Sequence, residues 1–366
     1  MDPLTLILFI AGFALLVGGA EVLVRGASHL AGALGISPLV VGLTVVAFAT
    51  SAPEAAITLQ AVFAGRADLA VGNVVGSNIF NLLLVLGVSA LAVPLVVTQR
   101  LVRLEVPLLV GAGALLLGLS LDGGLGRLDG AILFAGMTAY TIYAVRRSRQ
   151  EDAAVAAEYE REYGAGNRPA RRFAGDLALV ALGLGALVLG ARWLVDGAVA
   201  VATALGVSDL VIGLTIVAAG TGLPEVATSL LAALRGERDI AVGNVVGSSL
   251  FNLLAVLGVG GLLAPQTIAV APAVLRFDLP VMLGVSFASL PIFFTGHRIS
   301  RSEGALLLAA YAAYAAYLIL QAEGHDAVPA FGRIMLAFVI PATVLTLSIL
   351  TVRAWRSRAT AYPPAA

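Results

Sequence analysis

The chain contains one motif twice, and each copy places a glutamate inside strongly apolar sequence. The first copy, GLTVVAFATSAPE, ends at Glu54, and the second, GLTIVAAGTGLPE, ends at Glu225. A carboxylate inside a bilayer costs about 2.5–3.5 kcal/mol on insertion scales, and such residues are usually functional. Two of them at equivalent positions therefore predict a cation site.

A second repeated motif follows each glutamate at the same offset. It reads GNVVGSNIFN over residues 72–81 and GNVVGSSLFN over residues 243–252. Three polar residues in each copy recur at i, i+4 and i+8, which places them on one face of a helix. They are Asn73, Ser77 and Asn81 in the first copy, and Asn244, Ser248 and Asn252 in the second.

Two interpretations of this polar stripe are open, because small polar side chains also hydrogen-bond between membrane helices. For Asn73 and Asn244 that interpretation and ion contact have equal weight. Ion contact is favoured for the residues nearer the repeat centre, which are Ser77, Asn81, Ser248 and Asn252. The small-xxx-small glycine pairs of the same motif predict close packing against the helices that carry the glutamates; these pairs are Gly72 with Gly76 and Gly243 with Gly247.

The available ligands are carboxylate, hydroxyl, amide and backbone carbonyl oxygens, a set that suits Ca²⁺ or Na⁺ rather than zinc or copper. Glu54 and Glu225 together carry a charge of −2, which one Ca²⁺, two Na⁺ or two protons would neutralise. Burial and like charge disfavour two ionised carboxylates in one empty site, so protons are expected to compete with the metal. A site that accepts these alternatives is a physical basis for exchange.

A proline precedes each glutamate and predicts a break in the helix. Pro53 cannot donate to the carbonyl of Ala49, and Pro224 cannot donate to that of Gly220. Carbonyls freed in this way bind ions in discontinuous transporter helices. Thr50 and Thr221, four residues before the glutamates, are expected on the same face as the carboxylates.

The composition indicates an integral membrane protein. Hydrophobic residues make up 60% of the chain, charged residues only 12%, and the mean hydropathy is +0.99, whereas about a quarter of residues in soluble domains are charged. The net charge of zero gives no reason to expect a nucleic-acid partner. The absence of cysteine excludes disulfides and thiolate metal sites, and no cofactor or enzymatic activity is expected.

Apolar windows long enough to span a bilayer predict an all-α, polytopic protein with eleven helices. The windows lie at 4–24, 38–63, 69–92, 104–121, 128–146, 173–195, 208–234, 240–263, 272–295, 303–321 and 329–352. The charged stretch between Arg146 and Arg172 separates two groups of five, and an odd number makes the second repeat enter the membrane from the opposite side. The predicted organisation is a five-helix repeat at 1–147, a cytoplasmic linker at 148–172, an inverted repeat at 173–325, and an additional transmembrane helix with a cytoplasmic tail at 326–366.

A further pair of matching segments supports the duplication. The segment from Arg103 to Pro107 (RLEVP) matches the segment from Arg276 to Pro280 (RFDLP). Arginines concentrate in the loops that are cytoplasmic if the N-terminus is outside and the C-terminus inside. That orientation is expected, in a bacterial or archaeal inner membrane.

These motifs resemble the calcium:cation antiporter superfamily and, within it, the sodium/calcium exchanger family, whose two repeats contain GTSxPE and GNxxGSN patterns. The resemblance covers about residues 1–322 and implies exchange of Ca²⁺ for Na⁺ by alternating access, with the first and sixth helices sliding across the others. It implies that Glu54 and Glu225 bind Ca²⁺ together with the carbonyls of Thr50 and Thr221. It further implies a set of sodium ligands and central residues, namely Ala47, Ser51, Ser77, Ala218, Ser248, Asn81 and Asn252.

Two residues depart from the family pattern. Gly222 occupies the place of the serine in GTS, so one sodium site lacks a hydroxyl, and Asn252 occupies a place where many of these exchangers have aspartate. Both departures keep a proton-coupled antiporter of Ca²⁺ or another divalent cation open as an alternative. A cation channel is disfavoured because both carboxylates come from one inverted pair rather than a symmetric ring, and this also favours a functional monomer in the lipid bilayer. A scaffold would leave both glutamates without a role.

Overall fold

The computed structural model describes residues 3–34, 36–151, 170–206, 212, 216, 218–294, 296–325 and 327–335. The first repeat contains eight α-helices and two short strands, with three π-helical turns. The elements are α1 (Pro3–Leu34), α2 (Pro38–Val41), a π turn (Gly42–Val46), α3 (Ala47–Thr50), α4 (Ala52–Phe63), α5 (Ala67–Phe80), a π turn (Asn81–Val85), α6 (Leu86–Ala92), β1 (Leu95–Val96), a π turn (Leu101–Glu105), α7 (Val106–Leu119), β2 (Gly124–Leu125) and α8 (Arg127–Glu151).

The second repeat follows the same plan over its described residues. Its elements are α9 (Ala170–Ala204), α10 (Ala218–Thr221), α11 (Leu223–Leu234), α12 (Arg238–Leu250), a π turn (Phe251–Val256), α13 (Leu257–Leu263), β3 (Ile268–Ala269), a π turn (Val274–Asp278), α14 (Leu279–Phe294), β4 (Arg298–Ile299) and α15 (Arg301–Ala322). A final helix, α16 (Val328–Ile334), is the described part of the predicted eleventh span. The remainder of that span, most of the linker and most of residues 207–217 lie outside the described residues.

Eight described helices are long and apolar enough to cross a membrane, and α2–α3 with α4 form one further span that is bent by 50°. The predicted polytopic all-α class is confirmed. The two spans that carry the polar stripes lie at the centre of the protein: 72% of the window in Leu69–Ala92 and 83% of that in Arg238–Leu263 are buried, against 6% in Arg301–Ala322. The stripes are therefore shielded from lipid by the other helices.

The strand pairing shows that the repeats are inverted. β1 follows the third span of the first repeat, which ends with α6. It pairs through Leu95 and Ile299 with β4, which follows the fourth span of the second repeat, α14. β2 and β3 make the reciprocal pair through Leu125 and Ile268. Loops that occupy different positions in the two repeats can share a face only if one repeat is upside down. We call the face with β1 and β4 the linker face and the face with β2 and β3 the N-terminal face.

The first and sixth spans, α1 and α9, pack along each other through glycines spaced seven residues apart. Gly12 and Gly19 on α1 meet Gly190 and Gly183 on α9, and a Cβ atom at Gly190 would lie 2.7 Å from the carbonyl oxygen of Gly12. Such small residues let helix backbones approach closely in membranes. The two helices therefore form one tightly packed pair.

Both helices are longer than the windows predicted from hydropathy, which ended at 24 and 195. Charged residues interrupt the apolar sequence near residue 24, but ion pairs accommodate them within α1. Glu21 pairs with Arg25 one turn later and with Arg235 after α11, and His29 Nδ1 lies 3.1 Å from Asp176 Oδ1.

Candidate cation site

The first glutamate motif forms a broken helix. α3 ends at Thr50, α4 begins at Ala52, and Ser51 between them has φ −81° and ψ 6°. Pro53 lies in the first turn of α4, where a missing N–H does not disturb a helix. The helix therefore restarts at the proline, and Glu54 lies in the first turn of the new segment, as the sequence predicts.

The second motif repeats this geometry. Gly222 separates α10 from α11 with φ −84° and ψ 0°, Pro224 lies in the first turn of α11, and Glu225 follows it. The two breaks have nearly the same backbone conformation. Gly222 has a negative φ that any residue adopts, so backbone strain does not explain the glycine.

The two glutamates converge at the centre of the protein, and each interacts with a hydroxyl of the opposite repeat. Ser51 Oγ donates to Glu225 Oε1 at 3.1 Å, and the Thr221 side chain hydrogen-bonds Glu54. Both carboxylates are only 1% exposed. Neither glutamate faces lipid, and the charges of both are concentrated in one buried region.

Several buried polar atoms of the predicted site residues have no hydrogen-bond partner among the described residues. They are Glu54 Oε2, Glu225 Oε2, and both Oδ1 and Nδ2 of Asn252. Buried polar groups in proteins are almost always satisfied, and an unpaired buried carboxylate oxygen is especially costly. The three unpaired oxygens in this set, from Glu54, Glu225 and Asn252, are hard ligands of the kind that suits Ca²⁺ or Na⁺. Among the described residues no cluster of three or more His, Cys, Asp or Glu side chains could hold a metal ion. A cation bound to the two glutamates would therefore need neutral oxygens as its further ligands.

Asn73 and Asn244 instead hold neighbouring helices of the same repeat together. Asn73 Nδ2 donates to Thr58 Oγ1 at 2.9 Å, and Asn244 Nδ2 donates to Ser229 Oγ at 2.9 Å. Asn244 Oδ1 also accepts from Thr50 Oγ1 at 3.0 Å. Of the two interpretations that the sequence left open, the structure places these asparagines in interhelical hydrogen bonds.

The remaining polar residues of the stripes differ in burial and in contacts. Ser248 is fully buried, 3.3 Å from Thr50 Oγ1, and its Oγ lies 3.5 Å from the carbonyl oxygen of Ala47. Asn81 is 2% exposed, and Ser77 is half-buried beside a cavity. Ala218 is the first residue of α10. These contacts bring Ala47 and Thr50 of the first repeat together with Ser248 of the second, and Ser51 together with Glu225.

The sequence did not predict the π-helical turns, although their positions are repeated. Asn81 begins one and Asn252 is the second residue of its counterpart, while Glu105 and Asp278 end another matched pair. π turns are often found at functional sites. The sequence feature that marks the π turns ending at Glu105 and Asp278 is the acidic residue repeated in the matching segments RLEVP and RFDLP.

A cavity of about 230 Å³ leads toward the site from the N-terminal face. Its walls include Ser77, Thr221, Asp278 and Tyr314. The cavity therefore reaches Thr221, whose side chain hydrogen-bonds the buried Glu54.

The prediction that all four motif glycines pack against the broken helices is correct for the second repeat only. A Cβ at Gly247 would lie 2.6 Å from Leu43 Cα, and one at Gly243 would lie 2.9 Å from the carbonyl of Leu39. Gly72 and Gly76 instead line the cavity, and no described atom lies within 4 Å of where their Cβ atoms would be. The helices of the first stripe therefore leave open space where those of the second are closely packed.

Gly222 lies against a side chain that leaves no room for the serine of the family pattern. A Cβ at this position would lie 2.3 Å from Cε1 of Phe80, whose ring also packs edge-on against Tyr311 at 5.5 Å between centroids. The space that a serine would need is occupied by an aromatic ring of the first repeat.

Comparison with known proteins gives consistent matches over both repeats. Residues 4–146 and 176–320 match the family model described as sodium/calcium exchanger protein. CaxA of Alkalimonas amylolytica is 41% identical over 313 residues, covering 84% of this chain and 96% of that protein. The sodium/calcium exchanger MaX1 of Methanosarcina acetivorans is 31% identical over 369 residues, covering 86% and 98%.

The fold is also shared with a solved structure. The sodium-calcium exchanger NCX_Mj superimposes with a TM-score of 0.74 at 30% identity, and the match covers 87% of this chain and all of the other. The family match covers both repeats, and the solved structure matches most of the chain.

Proposed function

The chain belongs to the sodium/calcium exchanger family, a family of cation antiporters, and on that basis we propose that it exchanges Ca²⁺ for Na⁺ by alternating access. Glu54 and Glu225 form the shared cation site in this proposal. The observation that carries it is the pair of buried carboxylates, joined through hydroxyls of opposite repeats, with one oxygen of each left unpaired among the described residues.

Calcium would be held by both glutamates and by the carbonyls of Thr50 and Thr221. A divalent ion neutralises both carboxylates at once, and this offsets the cost of burying two like charges. Removing the ion without a replacement restores that cost. An empty carrier is therefore disfavoured unless sodium ions or protons take its place, and this coupling is what an antiporter requires.

Sodium ions would occupy positions on either side of the calcium position. The proposed ligands are Ala47, Ser51 and Ser77 from the first repeat, Ala218 and Ser248 from the second, and Asn81 and Asn252 at the centre. The proximity of Ser248 Oγ to the Ala47 carbonyl, 3.5 Å, supports the pairing of these two groups at one position. On the opposite side Gly222 offers no hydroxyl, and Phe80 fills the space.

Alternating access would come from sliding of α1 and α9 across the other helices. The interlocked glycines of these two helices support their movement as one unit. The two spans that carry the polar stripes are the most deeply buried of the described spans, which suits a fixed ion site past which the pair moves.

Proton coupling is the second candidate. Gly222 and Asn252 weaken the case for sodium coupling and so leave this candidate open, because Gly222 offers no hydroxyl ligand and Asn252 has a neutral amide where many of these exchangers have aspartate. Two carboxylates that need a total charge of +2 are satisfied by two protons as well as by two Na⁺.

We also propose that the linker face is cytoplasmic, in a bacterial or archaeal inner membrane. Arg100, Arg235, Arg298 and Arg301 lie at this face, whereas Arg66 and Arg127 lie at the other, and arginine-rich loops are normally cytoplasmic. A monomer would suffice, because one chain supplies both glutamates.

The decisive experiment measures ⁴⁵Ca²⁺ flux in proteoliposomes under separately imposed Na⁺ and H⁺ gradients. Flux driven by the Na⁺ gradient at equal pH supports sodium coupling, and flux driven only by the pH gradient supports the second candidate. If neither gradient drives Ca²⁺ through a folded protein, calcium antiport is refuted.

A further inference from the structure

A pair of repeated acidic residues lies outside the central site. Glu105 and Asp278 each end a π-helical turn and occupy the same place in the matching segments RLEVP and RFDLP. Each also has a tyrosine neighbour from the following helix, Tyr140 and Tyr314 respectively. Because the repeats are inverted, Glu105 lies toward the linker face and Asp278 toward the N-terminal face.

Glu105 is neutralised within the protein. It is fully buried, and Arg100 Nε lies 3.0 Å from its Oε1. The Tyr140 hydroxyl lies close to Glu105 without completing a hydrogen bond of good geometry. An internal arginine thus supplies the positive charge that this carboxylate needs.

Asp278 has a different environment. Tyr314 donates a hydrogen bond to its Oδ1 at 2.9 Å. Among the described residues no salt bridge joins Asp278 to an arginine or histidine, in contrast to Glu105 with Arg100. The ring of Phe277 stacks on Tyr314 at 6.2 Å with an interplanar angle of 11°, which fixes the direction of the hydroxyl. The carboxylate is half-buried and lines the cavity that also contains Ser77 and Thr221.

We propose that Asp278, oriented by Tyr314, is a second cation site at which Ca²⁺ or Na⁺ pauses before it reaches Glu54 and Glu225. The charge supplied internally by Arg100 at Glu105 is supplied here by the ion. A carboxylate in a low-dielectric cleft raises the local concentration of cations. One carboxylate with few fixed ligands binds weakly, and an entry site must bind weakly enough to release its ion inward.

The inference depends on the proposed central site, so the test separates the two. Equilibrium binding of ⁴⁵Ca²⁺ to the purified full chain is measured for the wild type, Glu54→Gln, Asp278→Asn and the double variant. We expect Glu54→Gln to lose the tight ion and keep one weak ion, and the double variant to lose both. If Glu54→Gln keeps the tight ion, the central assignment fails. If the double variant binds as much Ca²⁺ as Glu54→Gln does, the Asp278 site is refuted.

Transport gives a second, independent readout. Asp278→Asn should raise the Ca²⁺ concentration for half-maximal uptake about tenfold, the lower end of the range for electrostatic focusing in a cleft, with an unchanged maximal rate. Tyr314→Phe keeps the ring stack and should give a smaller increase. Asp122→Asn is the matched control, because Asp122 is an exposed acid of the N-terminal face outside the cavity. An equal effect of Asp122→Asn and Asp278→Asn would reduce the proposal to general surface charge and overturn it.

Discussion

The two repeats bring the same residue types to the centre of the protein, but they pack differently on either side of it. In the second repeat Gly243 and Gly247 lie directly against the backbone of the broken helix of the first. In the first repeat Gly72 and Gly76 line a cavity. Two nearly identical sequences thus support one close-packed and one open arrangement, and an alternating-access protein must be able to exchange the two.

Charge follows the same division. On the close-packed linker side Glu105 is paired with Arg100, and Glu21 links α1 to Arg235. On the open side Asp278 lines the cavity with only a tyrosine hydroxyl bonded to it in the described structure. Acidic residues at equivalent positions are therefore neutralised by different partners. Arg100 neutralises Glu105, and in our proposal the transported cation neutralises Asp278.

The largest expected effect comes from neutralising either member of the central pair, which the two repeats share. Glu54→Gln or Glu225→Gln should lower Ca²⁺ flux about 100-fold or more, because loss of one charge of a buried set costs roughly 3 kcal/mol or more. Glutamine retains an oxygen for the hydroxyl of the opposite repeat, so thermal unfolding should be unchanged. Glu323→Gln, at an exposed acid, is the control. Wild-type ⁴⁵Ca²⁺ uptake by either central variant would contradict the shared site.

The internal ion pair of the first repeat is tested by Arg100→Gln. This change leaves Glu105 fully buried without its cation and should destabilise the protein by about 3 kcal/mol. The measurement is thermal unfolding in detergent. Arg103→Gln, at an exposed position of the same π turn, should have little effect. Equal stability of the two variants would show that the pair is not structural.

The difference in glycine packing is tested by matched alanine substitutions. Gly247→Ala should destabilise by about 1–3 kcal/mol, because its Cβ would overlap the backbone of Leu43 and backbone cannot move aside cheaply. Gly76→Ala meets no described atom within 4 Å and should be tolerated in unfolding measurements. Equal costs at the two positions would mean that the repeats pack alike in solution.

The smallest expected effect concerns the serine that the second repeat lacks. Gly222→Ser should reduce Na⁺-driven Ca²⁺ flux about fivefold, because overpacking against Phe80 raises the activation free energy by roughly 1 kcal/mol. Adding Phe80→Leu should restore much of the flux. Failure of this rescue would indicate that the hydroxyl itself, rather than the displaced ring, changes transport. The converse change in the first repeat, Ser51→Gly, removes the hydrogen bond to Glu225 and should lower the free energy of unfolding by about 1 kcal/mol.

The sequence was informative about the site because intramembrane charge is rare and the duplication preserved its spacing. The prolines predicted the breaks at Ser51 and Gly222, and the repeated motifs indicated which carboxylates converge. Hydropathy located the spans but ended α1 and α9 too early. For α1 the reason is that hydropathy does not register ion pairs such as Glu21 with Arg235, which allow charged residues within a long helix.

What the sequence by itself determined is a membrane protein with two opposed five-helix repeats and a pair of central glutamates, because polarity, helical period and duplication are local properties of the chain. Only the tertiary structure decided that Asn73 and Asn244 clamp helices, that Phe80 fills the space beside Gly222, and that Arg100 neutralises Glu105 while Asp278 lines a cavity. These outcomes depend on which surfaces of two nearly identical repeats meet. Two similar sequences do not specify which of their surfaces pack closely, because each repeat contacts a different part of the other.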